Sequence, residues 1–137
     1  DIRRRMVEKR LRKLDGLRGE VVPPLFSGDR EPEVLFVCWG SSHGAVTEAA
    51  GDMSRRGRPT GVLHFPQVWP LVPAQFMTCL ESAGKVVCVE GNATAQFARL
   101  LRRETGFEVS GSVLRYDGLP FTPEFIVKGV ESWPTGR

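Results

Sequence analysis

The feature that most constrains the fold is the alternation of short apolar runs with amphipathic segments along the chain. Three runs are mostly apolar and bounded by turn residues, which is typical of buried strands: Val34–Trp39, 61–65 and 85–90. A segment with helical periodicity follows each run, and these segments end at Gly57, Gly84 and Gly106. Regular alternation of strand and helix predicts an α/β fold with a largely parallel sheet.

Two further segments are predicted to be edge strands. The extended apolar segment 20–26 contains Pro23 and Pro24, which cannot donate to a ladder, so this strand belongs at a sheet edge. Segment 112–116 alternates polar and apolar residues, as a half-exposed strand does. Right-handed crossovers then favour a three-layer α/β/α sandwich. Its five-stranded, mostly parallel sheet would have the order 1-3-2-4-5, with the first strand antiparallel.

The N-terminal segment is set apart by its charge. Residues 1–18 contain eight Arg or Lys and three acidic residues, a net +5, whereas the rest of the chain sums to −2. Apolar residues recur within it at helical spacing, and Gly19 follows. We predict a linking helix over 1–19 and one α/β domain over 20–137. No aromatic residues interleave with the basic ones, so a solvated helix face is favoured over nucleic-acid binding.

Cellular location is constrained by the apolar runs and the cysteines. The longest apolar run, Val34–Trp39, is far shorter than the roughly 20 residues needed to span a bilayer, and charged residues occupy the N-terminus where a signal core would lie. We expect no membrane-spanning segment and a cytoplasmic location. Cys38, Cys79 and Cys88 include no C-x-x-C pair, so we expect free thiols in a reducing compartment rather than metal ligands.

The turn at 40–44, GSSHG, matches the G-x-S-x-G pattern of the serine hydrolases, with Ser42 in the nucleophile position. A hydrolase also needs a general base and its orienting acid later in the chain, and an oxyanion-hole donor. The later histidine is His64, inside a predicted strand, and His43 adjoins Ser42 in a tight turn that points the two side chains apart. Catalysis by Ser42 is therefore the less favoured alternative.

The same turn has a structural interpretation. Gly40 allows the chain to turn, and Ser41 or Ser42 would cap the free amides of the following helix. Gly44 would let that helix approach the sheet closely. These structural roles explain the GSSHG sequence without a catalytic function, and they are favoured over catalysis by Ser42.

A second turn of interest follows the buried strand that ends at Glu90. Glu90 is either paired with neighbouring amides or a site carboxylate, and pairing is favoured. Asn92 and Thr94 form a glycosylation sequon, but an N-cap is the favoured role for Asn92. In the predicted strand order, this turn faces the GSSHG turn at the carboxyl ends of strands 2 and 4, where open α/β sheets bind ligands. A small-molecule or anion-binding module is therefore an open alternative.

Four ordered stretches carry a resemblance to a known family: WGSSHGAVTEA at 39–49, GVLHFPQVWPLVPAQ at 61–75, VVCVEGNATAQFARLLRRETG at 86–106 and YDGLPFTPEFI at 116–126. Together they are similar to the C-terminal region of the alpha subunit of 2-oxoacid:ferredoxin oxidoreductases. Segment 6–17 resembles the helix that joins this region to the preceding domain. Ala95 departs from the family, which commonly has glycine there, and this implies a slightly different close approach. A chain that begins with Asp1 is expected to be part of a longer protein.

The resemblance carries several implications about the whole enzyme. Such enzymes oxidatively decarboxylate a 2-oxoacid such as pyruvate or 2-oxoglutarate to an acyl-CoA, use thiamine diphosphate and iron-sulfur clusters, and pass electrons to ferredoxin or flavodoxin. The region resembled is similar to the transketolase C-terminal domain, and the family holds its cofactors in other domains and in the beta subunit. The resemblance thus implies no catalytic residue and no cofactor or metal site in this chain. Its partners would be the remaining domains of the alpha subunit and the beta subunit.

These considerations define a candidate interface, which we call the crest. It consists of eight residues from the two facing turns: Gly40, Ser41, Ser42, His43, Gly44, Glu90, Asn92 and Thr94. Trp39, Trp69 and Trp133 are interpreted as packing or interface residues rather than as part of a cofactor site.

Overall fold

The computed structural model describes residues 1–132, in which a five-stranded sheet is flanked by helices. The strands are β1 (Leu25–Gly28), β2 (Val34–Trp39), β3 (Thr60–Phe65), β4 (Lys85–Glu90) and β5 (Gly111–Leu114). The helices are α1 (Ile2–Arg18), α2 (His43–Arg55), α3 (Met77–Ser82), α4 (Gln96–Thr105) and α5 (Pro123–Glu131). Short 3-10 turns at Gly40–Ser42 and Pro73–Gln75 precede α2 and α3. Trp133 lies outside the described residues.

The predicted strand order is confirmed as β1-β3-β2-β4-β5. β1 pairs antiparallel with β3, and the other three pairings are parallel. The first strand is shorter than predicted, because it begins at Leu25, directly after Pro24. β2 lies at the centre of the sheet, and its residues 34–38 are wholly buried, as its uninterrupted apolar run predicts.

Helices cover both faces of the sheet, which gives the predicted three layers. One apolar cluster joins Phe36 and Val62 of the sheet to α2 and α5. The other joins Leu35 and Phe65 to α3 and α4. Because parallel strands share their direction, β2, β3, β4 and β5 all end at one edge, and the turns that lead into the helices lie there.

Helix α1 differs from the other helices, since none of its residues is buried. Its apolar side chains remain in solvent, with Ile2 80% and Leu11 57% exposed. It lies within the segment 1–19, for which the role of a linking helix stays a prediction. Within residues 1–132, no helix combines the length and the apolar character needed to cross a bilayer.

Candidate functional site

The two turns predicted to face each other meet at the carboxyl edge of the sheet. β2 and β4 are parallel neighbours that end at Trp39 and Glu90, so their following turns lie side by side. A cleft of about 600 Å³ opens between these turns and the loop after β5. Its lining includes Trp39, Ser41, Ser42, Gly91, Tyr116 and Leu119.

Glu90 is the most deeply buried polar group of this edge, with 1% of its surface exposed. Its carboxylate accepts hydrogen bonds from the backbone amides of Phe97 at 2.7 Å and Ala98 at 3.0 Å, in the first turn of α4. The side-chain amide of Asn92 donates to the same carboxylate at 2.8 Å, and the Cys88 thiol donates to it at 3.4 Å. The interpretation of Glu90 as an acid paired with amides is confirmed. The amides that an external anion would need at the start of α4 are therefore occupied.

Asn92 completes the cap of α4. Its side-chain oxygen accepts hydrogen bonds from the amides of Thr94 at 3.1 Å and Gln96 at 3.2 Å. The N-cap position itself is Ala95, which has a left-handed backbone with φ 49° and ψ 52°. This conformation favours glycine, so the glycine common in the family at this position suits the backbone turn rather than a closer approach.

The GSSHG turn has a different structure from the one predicted. Gly40 has φ +62°, which confirms its role in the turn. The predicted serine cap is wrong, because no side chain caps α2. A 3-10 turn runs directly into α2 and gives Ser42 a helical conformation, so its hydroxyl donates back to the Trp39 carbonyl at 2.8 Å. The predicted close approach at Gly44 is also wrong, since a Cβ there would meet no atom within 4 Å.

Ser42 does not have the surroundings of a serine nucleophile. It is only 8% exposed, and its hydroxyl donates to a backbone carbonyl rather than to an imidazole. His43 and His64 instead stack on each other, with ring centroids 4.0 Å apart and planes inclined by 13°. This pair was missed in the sequence, although the strand order places the carboxyl ends of β2 and β3 side by side.

The loop after β5 was also missed as part of the site. Arg115 anchors this loop: its guanidinium donates to Asp117 at 3.0 Å and to the Pro120 carbonyl at 2.6 Å, and it lies 4.6 Å from the centroid of the Phe125 ring. The hydrogen bond from Arg115 lowers the pKa of Asp117. Tyr116 is nevertheless 72% exposed on this braced loop. Leu119 on the same loop is 61% exposed and lines the cleft with Tyr116, and a contiguous exposed patch of large side chains marks an interaction surface.

The start of α4 is not free to bind a diphosphate group. A diphosphate would need free amides at a helix start, and Glu90 takes those of α4. Across residues 1–132, no group of three or more His, Cys, Asp or Glu residues is placed to hold a metal ion. Cys38, Cys79 and Cys88 are free thiols, and Cys38 and Cys88 are buried as expected.

Comparison with known proteins finds similarity to subunits of oxidoreductases. No family model matches it. It is 33% identical over 134 residues to the 2-oxoglutarate oxidoreductase subunit KorA of Mycobacterium tuberculosis, covering 96% of this chain and 20% of that subunit. It is 29% identical over 130 residues to the alpha subunit of 2-oxoacid:ferredoxin oxidoreductase 1 of Aeropyrum pernix, covering 91% of this chain and 20% of that subunit. The chain thus spans about a fifth of the length of the curated relatives it matches.

Solved structures agree with these relatives. The 2-oxoglutarate:ferredoxin oxidoreductase from Magnetococcus marinus, solved with 2-oxoglutarate, coenzyme A and succinyl-CoA bound, matches with a TM-score of 0.83 and 28% identity over 94% of this chain and 23% of that one. The alpha chain of a probable 2-oxoacid ferredoxin oxidoreductase from Thermoplasma acidophilum matches with a TM-score of 0.55 and 28% identity, over 80% of this chain and 94% of that one. Transketolase from Campylobacter jejuni shares the fold, with a TM-score of 0.59 and 16% identity over 82% of this chain and 20% of that one.

Proposed function

Because this chain is homologous to part of the alpha subunits of 2-oxoacid:ferredoxin oxidoreductases, we propose that it is a non-catalytic assembly domain of such an enzyme. The whole enzyme would oxidatively decarboxylate a 2-oxoacid to an acyl-CoA. Thiamine diphosphate and the iron-sulfur cluster would be bound by other domains and by the beta subunit, and ferredoxin or flavodoxin would accept the electrons.

One observation carries the proposal: the buried polar groups of the crest hold the backbone in place, and large apolar side chains are exposed beside the same cleft. Glu90 and Ser42 are engaged with backbone groups. Trp39, Tyr116 and Leu119 are 36%, 72% and 61% exposed beside the same cleft. Buried polar groups that bond to the backbone, beside large exposed apolar side chains, suit contact with another protein surface better than catalysis.

Helix α1 supports the same role from the other end of the domain. A helix of this length without buried residues gains little from packing, yet it exposes apolar side chains that include Met6 at 47% and Leu11 at 57%. We propose that it links the domain to the rest of the alpha subunit and is covered there. The basic residues along it would then lie at the rim of that contact.

Isothermal titration calorimetry of the 137-residue chain against the beta subunit of the same enzyme tests the proposal. We expect measurable binding that Leu119→Asp weakens at least tenfold, because the substitution places a charge in an apolar contact. Leu119→Met is the matched control, since it keeps the apolar character, and should bind as the wild type does. Tight binding of thiamine diphosphate by the chain alone, or equal binding by both variants, would overturn the assignment.

The size and position of the cleft favour a second candidate function, a small-molecule site. A volume of about 600 Å³ at the switch point of an α/β sheet is typical of ligand sites. No side chain caps the start of α2, and the 3-10 turn Gly40–Ser42 leads directly into it, so an anionic group at this helix start would bind at that turn. Titration with inorganic phosphate, followed by amide chemical shifts at 40–44, distinguishes this candidate from the assembly role. Labelling of Ser42 by a fluorophosphonate probe would revive the hydrolase alternative.

A further inference from the structure

We propose that His43 and His64 form a proton-sensitive contact that holds the GSSHG turn at neutral pH and releases it on acidification. The two imidazole rings lie nearly parallel, with centroids 4.0 Å apart. Within residues 1–132, both ring nitrogens of His64 are inaccessible to solvent, and no group lies in hydrogen-bond geometry with them. A proton taken up by His64 would therefore be unhydrated in this arrangement, with the carbonyl of Gly40 as the nearby acceptor.

The groups that face His64 within residues 1–132 offer no negative charge to stabilise a cation. On β2 its register partner is Cys38, whose pKa burial raises to about 12, so that the thiol stays neutral. On β1 its register partner is Leu25, and from α2 it faces His43. Burial, followed by the charge of His43, lowers the pKa of His64, and the carbonyl of Gly40 opposes this in part.

His43 faces the His64 ring from the first position of α2, so the positive end of the helix dipole also lies on this side of His64. A stacked pair cannot hold two protons without strong repulsion between the rings. A proton on His64 thus favours separation of the rings, and separation moves the first turn of α2.

The consequence for assembly rests on the proposed function, because His43 belongs to the crest. Displacement of the α2 start would weaken binding at the crest under acidic conditions. The proton sensitivity of the contact itself does not depend on any partner. The two ideas can therefore fail separately.

Nuclear magnetic resonance of the full 137-residue chain tests the contact directly. The chain has two histidines, so their ring signals can be assigned by substitution. Between about pH 8 and pH 5 we expect His64 to titrate with a midpoint below its ordinary 6.5. The amide signals of residues 40–44 should shift with the same midpoint. A His64 midpoint at or above 6.5, or amide signals that stay constant through the titration, would overturn the proposal.

Two variants distinguish the effect of protonation from the effect of ring stacking. His64→Phe keeps an aromatic ring against His43 but cannot take up a proton, so the shift of the 40–44 amides at the His64 midpoint should disappear. His43→Phe is the matched variant on the other side and should raise the His64 midpoint, because it removes the like charge. If either variant fails to fold, the wild-type titration still decides the question.

Discussion

The carboxylate of Glu90 accepts a 2.7 Å hydrogen bond from the backbone amide of Phe97, so the last residue of β4 caps the start of α4. Helix starts in α/β proteins often bind anions, because several amides point outward there with no partner. Here the chain supplies the anion itself, and Asn92 orients it. This internal cap explains why a charged residue ends a strand whose last five residues are buried.

Replacing Glu90 should destabilise the chain strongly. Glu90→Ala removes two bonds to backbone amides and leaves Phe97 and Ala98 unpaired in a buried site. We expect the free energy of unfolding to fall by about 3 kcal/mol, measured by urea denaturation. Glu108→Ala is the control, since this exposed acid pairs with Arg102 on the surface and should change stability by less than about 0.5 kcal/mol. Equal losses in the two variants would contradict the capping role.

Replacing Ala95 should have the opposite effect. Its backbone lies in the left-handed region, with φ 49°, where a side chain costs about 1 to 2 kcal/mol that glycine avoids. Glycine also makes the unfolded chain more flexible, and this offsets about 0.4 to 1 kcal/mol of that gain in stability. We therefore expect Ala95→Gly to stabilise the chain by about 0.5 kcal/mol in chemical denaturation. Ala98→Gly, inside α4, is the control and should destabilise it by about 1 kcal/mol.

The sequence predicted the sheet better than it predicted the turns. The uninterrupted apolar run of β2 identifies the central strand, because a central strand is buried on both faces. The prolines before β1 identify an edge strand, because proline has no backbone N–H to donate to a neighbouring strand. The GSSHG turn was read wrongly at Ser42 and Gly44, since a 3-10 turn and a standard N-cap share the same residue types. The stack of His43 on His64 depends on how α2 packs beside β3 and on the direction of both side chains. Local sequence patterns do not predict such a contact between two elements.

The buried cysteines should be inert. Burial raises the pKa of Cys38 to about 12 from 9.0, which leaves about a thousandth of the thiolate of an ordinary cysteine. Burial and the charge of Glu90 raise the pKa of Cys88 as well. In native chain treated with iodoacetamide, mass spectrometry should find label at the half-buried Cys79 long before the other two. In urea all three should react alike, and early labelling of Cys38 in native chain would contradict its burial.

Stability should fall as the pH drops below about 6.5. Because the pKa of His64 is lowered in the folded chain, the unfolded chain binds more protons at this position, and acid favours unfolding. Thermal melts between about pH 8 and pH 5 should show this loss, whereas the His64→Phe variant should show a flatter curve. The pKa values of Asp29 and Asp117 are also lowered from 3.8 in the folded chain, so protonation of these carboxylates reduces stability at a pH below this window. A wild-type curve as flat as that of the variant would contradict the assignment.

Gly44 offers the sharpest test of the crest as an interface. It is the second residue of α2, it is exposed, and a Cβ there would meet no other atom of residues 1–132 within 4 Å, so nothing in this part of the chain requires glycine. Gly44→Arg should therefore leave the free energy of unfolding within about 1 kcal/mol of the wild type, because the side chain extends into solvent. If a neighbouring subunit packs closely on the crest, the same side chain should weaken binding to the beta subunit at least tenfold in calorimetry. Gly44→Ala is the matched control, expected to gain up to about 1 kcal/mol of stability and to retain binding. Binding by the arginine variant that equals the wild type would exclude the first turn of α2 from the contact.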